Sequence, residues 1–111
     1  MSCKIVVLPE FAAEVKQLAK KYKKIKEDLG QLSAALQENP TRGIPLAGSC
    51  YKIRLANSSI PTGKSGGFRV IYYFVDEKAH IYLMSIYSKT EKENILAEEI
   101  KAILKRNGLT P

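Results

Sequence analysis

Four cationic side chains stand on segments that read as β-strand and lie far apart in the chain. Lys52 and Arg54 alternate with apolar residues in Cys50-Tyr51-Lys52-Ile53-Arg54-Leu55. Arg69 sits near the start of Gly67-Phe68-Arg69-Val70-Ile71-Tyr72-Tyr73, and Lys89 follows the strand-like segment 80–87. Successive strand side chains alternate faces, so Lys52 and Arg54 point the same way, ~7 Å apart. Packing a core does not require cations at such positions. Taken singly, each is an ordinary exposed strand residue. Taken together, they could converge on one sheet face and meet a phosphate, with arginine as its multidentate partner. Spacing alone leaves both readings open.

The other chemistry-bearing types are sparse. Gly63-Lys64-Ser65 resembles the end of a phosphate-binding loop, but Ser58 stands where that motif needs glycine, and a strand rather than a helix follows. Lys64 is better read as an exposed loop lysine within reach of a phosphate backbone. His80 is the sole histidine, and Cys3 and Cys50 are not at metal-ligand spacing. No pair of carboxylates suggests a hydrolase dyad or a magnesium site, so neither metal nor cofactor is expected. Glu91 reads as favourable charge at a helix N-terminus. Cys50 reads as a small buried apolar residue. Tyr51, Tyr72, Tyr73, Tyr82 and Tyr87 read mainly as sheet packing. Tyr87, at a strand end two residues from Lys89, could also stack an unpaired base.

The chain has 111 residues and a formal net charge of +7. That length suits one domain, and that charge suits a polyanionic partner. No stretch approaches the ~20 apolar residues of a membrane-spanning helix. The run Ile5-Val6-Val7-Leu8 is too short for a signal-peptide core. A reduced, cytoplasmic protein is the expectation. The lysine-rich stretch 16–26 reads as a solvated helix face that adds non-specific attraction to RNA.

The elements that must position the cations follow from periodicity. Residues 4–8 read as a short strand, and Pro9 suits the first turn of a helix. Phe11, Val15, Leu18 and Tyr22, then Ile25, Leu29, Leu32 and Leu36, recur at helical spacing. They predict a helical hairpin broken near 22–25, with Asn39-Pro40 ending its second helix. Residues 50–56, 67–75 and 80–87 predict three strands, and short turns favour antiparallel pairing among them. Thr90 with Glu93 fits a capping box for a last helix through Ile95, Leu96, Ile100, Ile103 and Leu104, stopped by Asn107-Gly108. The predicted class is α+β in the order β-α-α-β-β-β-α. It has a small antiparallel sheet, helices on one face, and the other face open.

The same residues carry a family resemblance. The core 50–55, 67–73 and Val75-Asp76-Glu77-Lys78 resembles that of the RelE/HigB toxins. Ile86-Tyr87-Ser88-Lys89-Thr90-Glu91-Lys92-Glu93-Asn94 is similar to the end of the HigB-like branch. The resemblance implies one RelE-like domain over residues 1–111. It implies the toxin of a type II toxin–antitoxin system, which enters the ribosomal A site and cuts mRNA without a metal. The family's catalytic cations fall on Lys52, Arg54, Arg69 and Lys89, and Lys64, Tyr87 and Lys92 are the expected RNA contacts. The implied partners are ribosome, mRNA and a cognate antitoxin with a helix-turn-helix domain, through which the complex meets operator DNA. No membrane is involved.

In two places the chain departs from the family. Ile95 stands where these toxins often carry a tyrosine, so base stacking falls to another residue such as Tyr87 or is absent. The loop 57–66 is longer than in the shortest members, which leaves codon preference open. In chemical terms, neighbouring cations disfavour a protonated lysine, which would let Lys52 act as general base on a 2′-hydroxyl. Arg69 would stabilise the phosphorane, and Lys89 or Arg54 would serve the leaving oxygen. Two alternatives are a ParE-like gyrase poison and an RNA- or ribosome-binding module without catalysis. The basic strand cluster favours the nuclease.

Overall fold

A computed structural model describes residues 3–61 and 66–110. Five strands form one sheet: β1 (Lys4–Val7), β2 (Ile44–Pro45), β3 (Cys50–Leu55), β4 (Phe68–Val75) and β5 (His80–Ser88). Three α-helices accompany them: α1 (Pro9–Ala19), α2 (Ile25–Glu38) and α3 (Ala97–Arg106). The sheet order is β1-β5-β4-β3-β2. β3, β4 and β5 are antiparallel neighbours as the short connections predict. The sheet as a whole is mixed, because β1 joins β5 in parallel after the long excursion through the other elements. The two-residue strand β2 pairs with β3 only at Lys52 and Tyr51.

The helical hairpin forms where the periodicity places it. Pro9 occupies the first turn of α1, and the chain breaks between Ala19 and Ile25. Asn39, before Pro40, is extended and ends α2. The stripe Phe11, Tyr22, Ile25, Leu32 and Leu36 buries against Phe68, Val70, Tyr72, Ile81 and Ile86. Each such side chain contributes about 1.5–3 kcal/mol relative to exposure.

The opposite face is not open. Cys50, Ile71, Tyr73, Met84 and Tyr87 face α3 and form a second core with Ile95, Ile103 and Leu104. β4 is buried from Phe68 to Tyr73, and apart from Arg69 that stretch is apolar, as expected of a strand covered on both sides. Helices therefore cover both faces. Cys50 is fully buried, and burial pushes its thiol up to about 11.

The last helix starts later than the Thr90–Glu93 pattern predicts. Residues 89–96 form a turn in which the Ser88 carbonyl accepts from the Glu91 and Lys92 amides. Thr90 Oγ1 lies 2.8 Å from Ser88 Oγ instead of capping a helix. Burying Ile95 sets the chain's path, and Glu99 Oε1 then accepts from the Leu96 amide at 3.4 Å. Glu91 is accordingly remote from the helix start and accepts from Tyr22 Oη at 3.1 Å and Lys21 Nζ at 3.4 Å. At the far end Gly108 has φ +67°, and the Gly108 and Leu109 amides close a Schellman motif on Lys105 and Leu104. Among the described residues no helix is long and apolar enough to cross a membrane.

Beyond Val7, β5 loses its β1 neighbour, and α1 supplies a substitute. Glu14 accepts from the Ile86 amide at 3.2 Å and from Ser85 Oγ at 3.3 Å. Burial outweighs these bonds and raises its carboxyl above the ordinary 4.5. A raised folded value penalises the charged form, so stability falls as pH rises from about 4.5 through the folded value. Glu14→Gln keeps an acceptor and removes the charge. Its denaturation midpoint is expected to gain on the parent's between pH 4 and pH 7, and a difference that stays constant with pH would refute this.

Candidate active site

The β3–β4 register sets the geometry of the cations. Cys50 pairs with Tyr73, Lys52 with Ile71, and Arg54 with Arg69. Cys50, Ile71 and Tyr73 face α3, so alternation puts Lys52, Arg54 and Arg69 on that same face. Directly opposed strand residues hold their Cβ atoms ~5 Å apart. β5 continues the row, because Arg69 pairs with Tyr87. One line across the sheet therefore reads Arg54, Arg69, Tyr87.

These side chains differ in environment. Arg69 is 6% exposed and donates from Nη1 to the Phe68 carbonyl at 3.2 Å. Burial, then the neighbouring Arg54 charge, lower its pKa, with Tyr87 opposing. Arginine stays a cation at physiological pH regardless. Arg54 is exposed, at the edge of β3 that β2 leaves unpaired. Lys52 is half-buried, and its Nζ lies 3.4 Å from Asn94 Oδ1. It borders a largely apolar groove of about 480 Å³ between α3 and the approach to β3.

Lys89 leaves the sheet at the same end. Its amide donates to the Gly67 carbonyl at 3.0 Å, extending the β4–β5 pairing, and its Nζ donates to the Glu93 carbonyl at 2.9 Å. Lys92 Nζ sits 5.6 Å from the Tyr87 ring centroid and pairs with Glu99 at 3.2 Å. Tyr87 itself is only 5% exposed. A base could stack on its ring only after Lys92 and the surrounding packing moved aside. Lys64, with the rest of Gly63-Lys64-Ser65, lies outside the described residues.

Ile95, at the position where the resemblance expects an aromatic residue, is buried in the α3-side core. His80 is partly buried beside Tyr82, with Nδ1 3.2 Å from its hydroxyl. Among the described residues no group of three or more His, Cys, Asp or Glu side chains is placed to hold a metal ion. Asn94 was not singled out by the sequence. Its contact with Lys52 spans 42 positions, and no local pattern signals it.

No family model matches the chain. Curated relatives that do match include the mRNA interferase toxin RelE of Escherichia coli K12 and the mRNA interferase RelE of Shigella flexneri. Each is 33% identical over 88 residues, covering 79% of this chain and 75% of the relative. The chain belongs to the RelE toxin family. Solved RelE structures show the same fold. A mutant of E. coli RelE in the free state matches with a TM-score of 0.56 at 23% identity, covering 96% of this chain and 98% of that one. The intact E. coli RelBE toxin–antitoxin complex matches with a TM-score of 0.52 at 24% identity, covering 78% and 96%.

Within this RelE fold, Gly67 joins the two ends of the cationic face. It precedes β4, which carries Arg69, and its carbonyl anchors Lys89. A Cβ there would fall on the Leu55 carbonyl oxygen and crowd the backbone of Ala56 and Asn57 at 3.3 Å. Backbone atoms yield poorly, so Gly67→Ala is expected to destabilise by about 1–3 kcal/mol. Urea unfolding would measure it; an unchanged midpoint would show that β3 and β4 separate there without cost.

Proposed function

We propose that this chain is the toxin of a type II toxin–antitoxin pair and an endoribonuclease that cuts mRNA on the ribosome. The single observation that carries the reading is Arg69: a buried arginine directly opposite a second arginine, on a face shared with Lys52. Like charges directly opposed across strands are destabilising. A face that gathers these cations suits a polyanion, and RNA presents an anion at every phosphate. Kinship with relatives named mRNA interferases supports the choice of mRNA.

The reaction needs no metal. Lys52 takes the proton of a 2′-hydroxyl. The freed oxygen attacks the adjacent phosphorus, and the bond from phosphorus to the 5′-oxygen breaks. Arg69 and Arg54 stabilise the charge on the phosphorane, as preorganised donors do where charge develops. Lys89 returns a proton to the leaving 5′-oxygen. The products are a 2′,3′-cyclic phosphate and a 5′-hydroxyl. Lys64 and Lys92 are assigned to the RNA backbone, where contacts position the substrate.

A basic nuclease that shares the cytoplasm with its substrate requires restraint. The E. coli relative has been solved as a RelBE toxin–antitoxin complex. By kinship this chain is assigned a cognate antitoxin, and its HigB-like end favours one with a helix-turn-helix domain that carries the pair to operator DNA. A small helix-turn-helix protein encoded in the neighbouring reading frame would support that assignment.

Mapping mRNA 5′ ends after expression tests the activity. Wild type is expected to produce new cuts within translated regions, and Lys52→Ala and Arg69→Ala to lower cutting at least about 10²-fold. Cutting at wild-type rates by both variants would sink the assignment of roles. DNA breaks without such cuts would point to a gyrase poison, and stalled translation on intact message to a binding module.

A further inference from the structure

Tyr87 carries an unexplained polar atom. Its hydroxyl is buried and has no hydrogen-bond partner among the described residues. Leaving a buried hydroxyl unsatisfied forfeits its hydration without return. Such orphans call for an explanation, and a ligand group is one. The ring offers no open face for a base, since it is 5% exposed with the Lys92 ammonium over it. The hydroxyl, by contrast, belongs to a residue paired directly with Arg69 at the end of the cationic row.

We propose that Tyr87 acts through its hydroxyl, donating a hydrogen bond to a non-bridging oxygen of the RNA phosphate that Arg69 and Arg54 hold. This rests on the nuclease reading above and adds a substrate-contacting residue to it. Burial raises the phenol's pKa and the Arg69 charge only partly offsets it, so the group keeps its proton and remains a donor. The side chain over the ring is held by an ion pair that costs little to release: Lys92 and Glu99 are 38% and 45% exposed, and exposed pairs are weak. A cavity of about 770 Å³ beside Tyr87 is lined also by Lys20, Lys21 and Lys92. That wall sets further cations beside Tyr87. The carboxylates in that wall are already engaged, Glu14 by Ile86 and Ser85, Glu91 by Lys21 and Tyr22.

Tyr87→Phe removes only the oxygen. Three measurements on the full chain decide the matter: thermal melting, cleavage of message on translating ribosomes, and binding of a non-cleavable 2′-O-methyl RNA trinucleotide. The expected result is a melting temperature equal to or above the parent's, cleavage about 10²–10³-fold slower, and trinucleotide binding at least about tenfold weaker. Wild-type cleavage and binding by the variant would overturn the proposal, and so would a clear drop in melting temperature, which would show a structural partner for the hydroxyl. Should the parent itself fail to cut message, the nuclease reading falls. The trinucleotide measurement then still decides whether the hydroxyl meets a phosphate.

Discussion

The β3–β4 register carries a conflict that the rest of the molecule is arranged around. Arg54 stands opposite Arg69, and Arg69 is almost wholly buried. Water reaches Arg54, which is exposed, and it barely reaches Arg69. Burial and the Arg54 charge both act against the Arg69 guanidinium. The two cores hold that arrangement in place, because slipping β3 by one residue would turn every one of its side chains to the other face.

Holding the face requires a sheet packed on both sides. The helical hairpin anchors one side through Phe11, Ile25, Leu32 and Leu36. On the other, α3 lays Ile103 and Leu104 against Ile71, Tyr73 and Met84. Glu10 on α1 ties the end of that helix down, accepting from Arg106 Nε at 2.9 Å and Asn107 Nδ2 at 3.0 Å. The turn 89–96 then has to climb from the end of β5 to the start of α3, and its lysines border the cationic face. Lys89 and Lys92 owe their positions to that turn, not to a helix.

Much of this was legible in the chain. Pro9, the gap before Ile25 and Asn39-Pro40 bound the hairpin where helical spacing predicts it, since proline and periodicity are local signals. The alternation in β3 put Lys52 and Arg54 on one face before any pairing was known. The second covered face was also written, in a β4 that is apolar from Phe68 to Tyr73 apart from Arg69, but an apolar strand does not say what covers it. The start of α3 departs from its local signal for a related reason. Thr90 and Glu93 have capping chemistry, yet the burial of Ile95 outweighs a local hydrogen bond worth about 1 kcal/mol. The join of β1 to β5, and Glu14 at the edge of β5, depend on partners tens of residues away.

The sequence by itself determined the residue types: a cationic set on strand-forming segments, a surplus of positive charge, two helical stripes and a family likeness. These are properties of composition and short-range spacing, and they survive without coordinates. Only the tertiary structure decided that Arg54 and Arg69 are directly opposed, that Lys52 rests against Asn94, and that Tyr87 hides its ring while leaving its hydroxyl without a partner. Register, burial and the hydrogen bonds left unmet among the described residues arise from segments distant in the chain. Their physical cause is the packing of both sheet faces at once, which no single stretch of residues specifies.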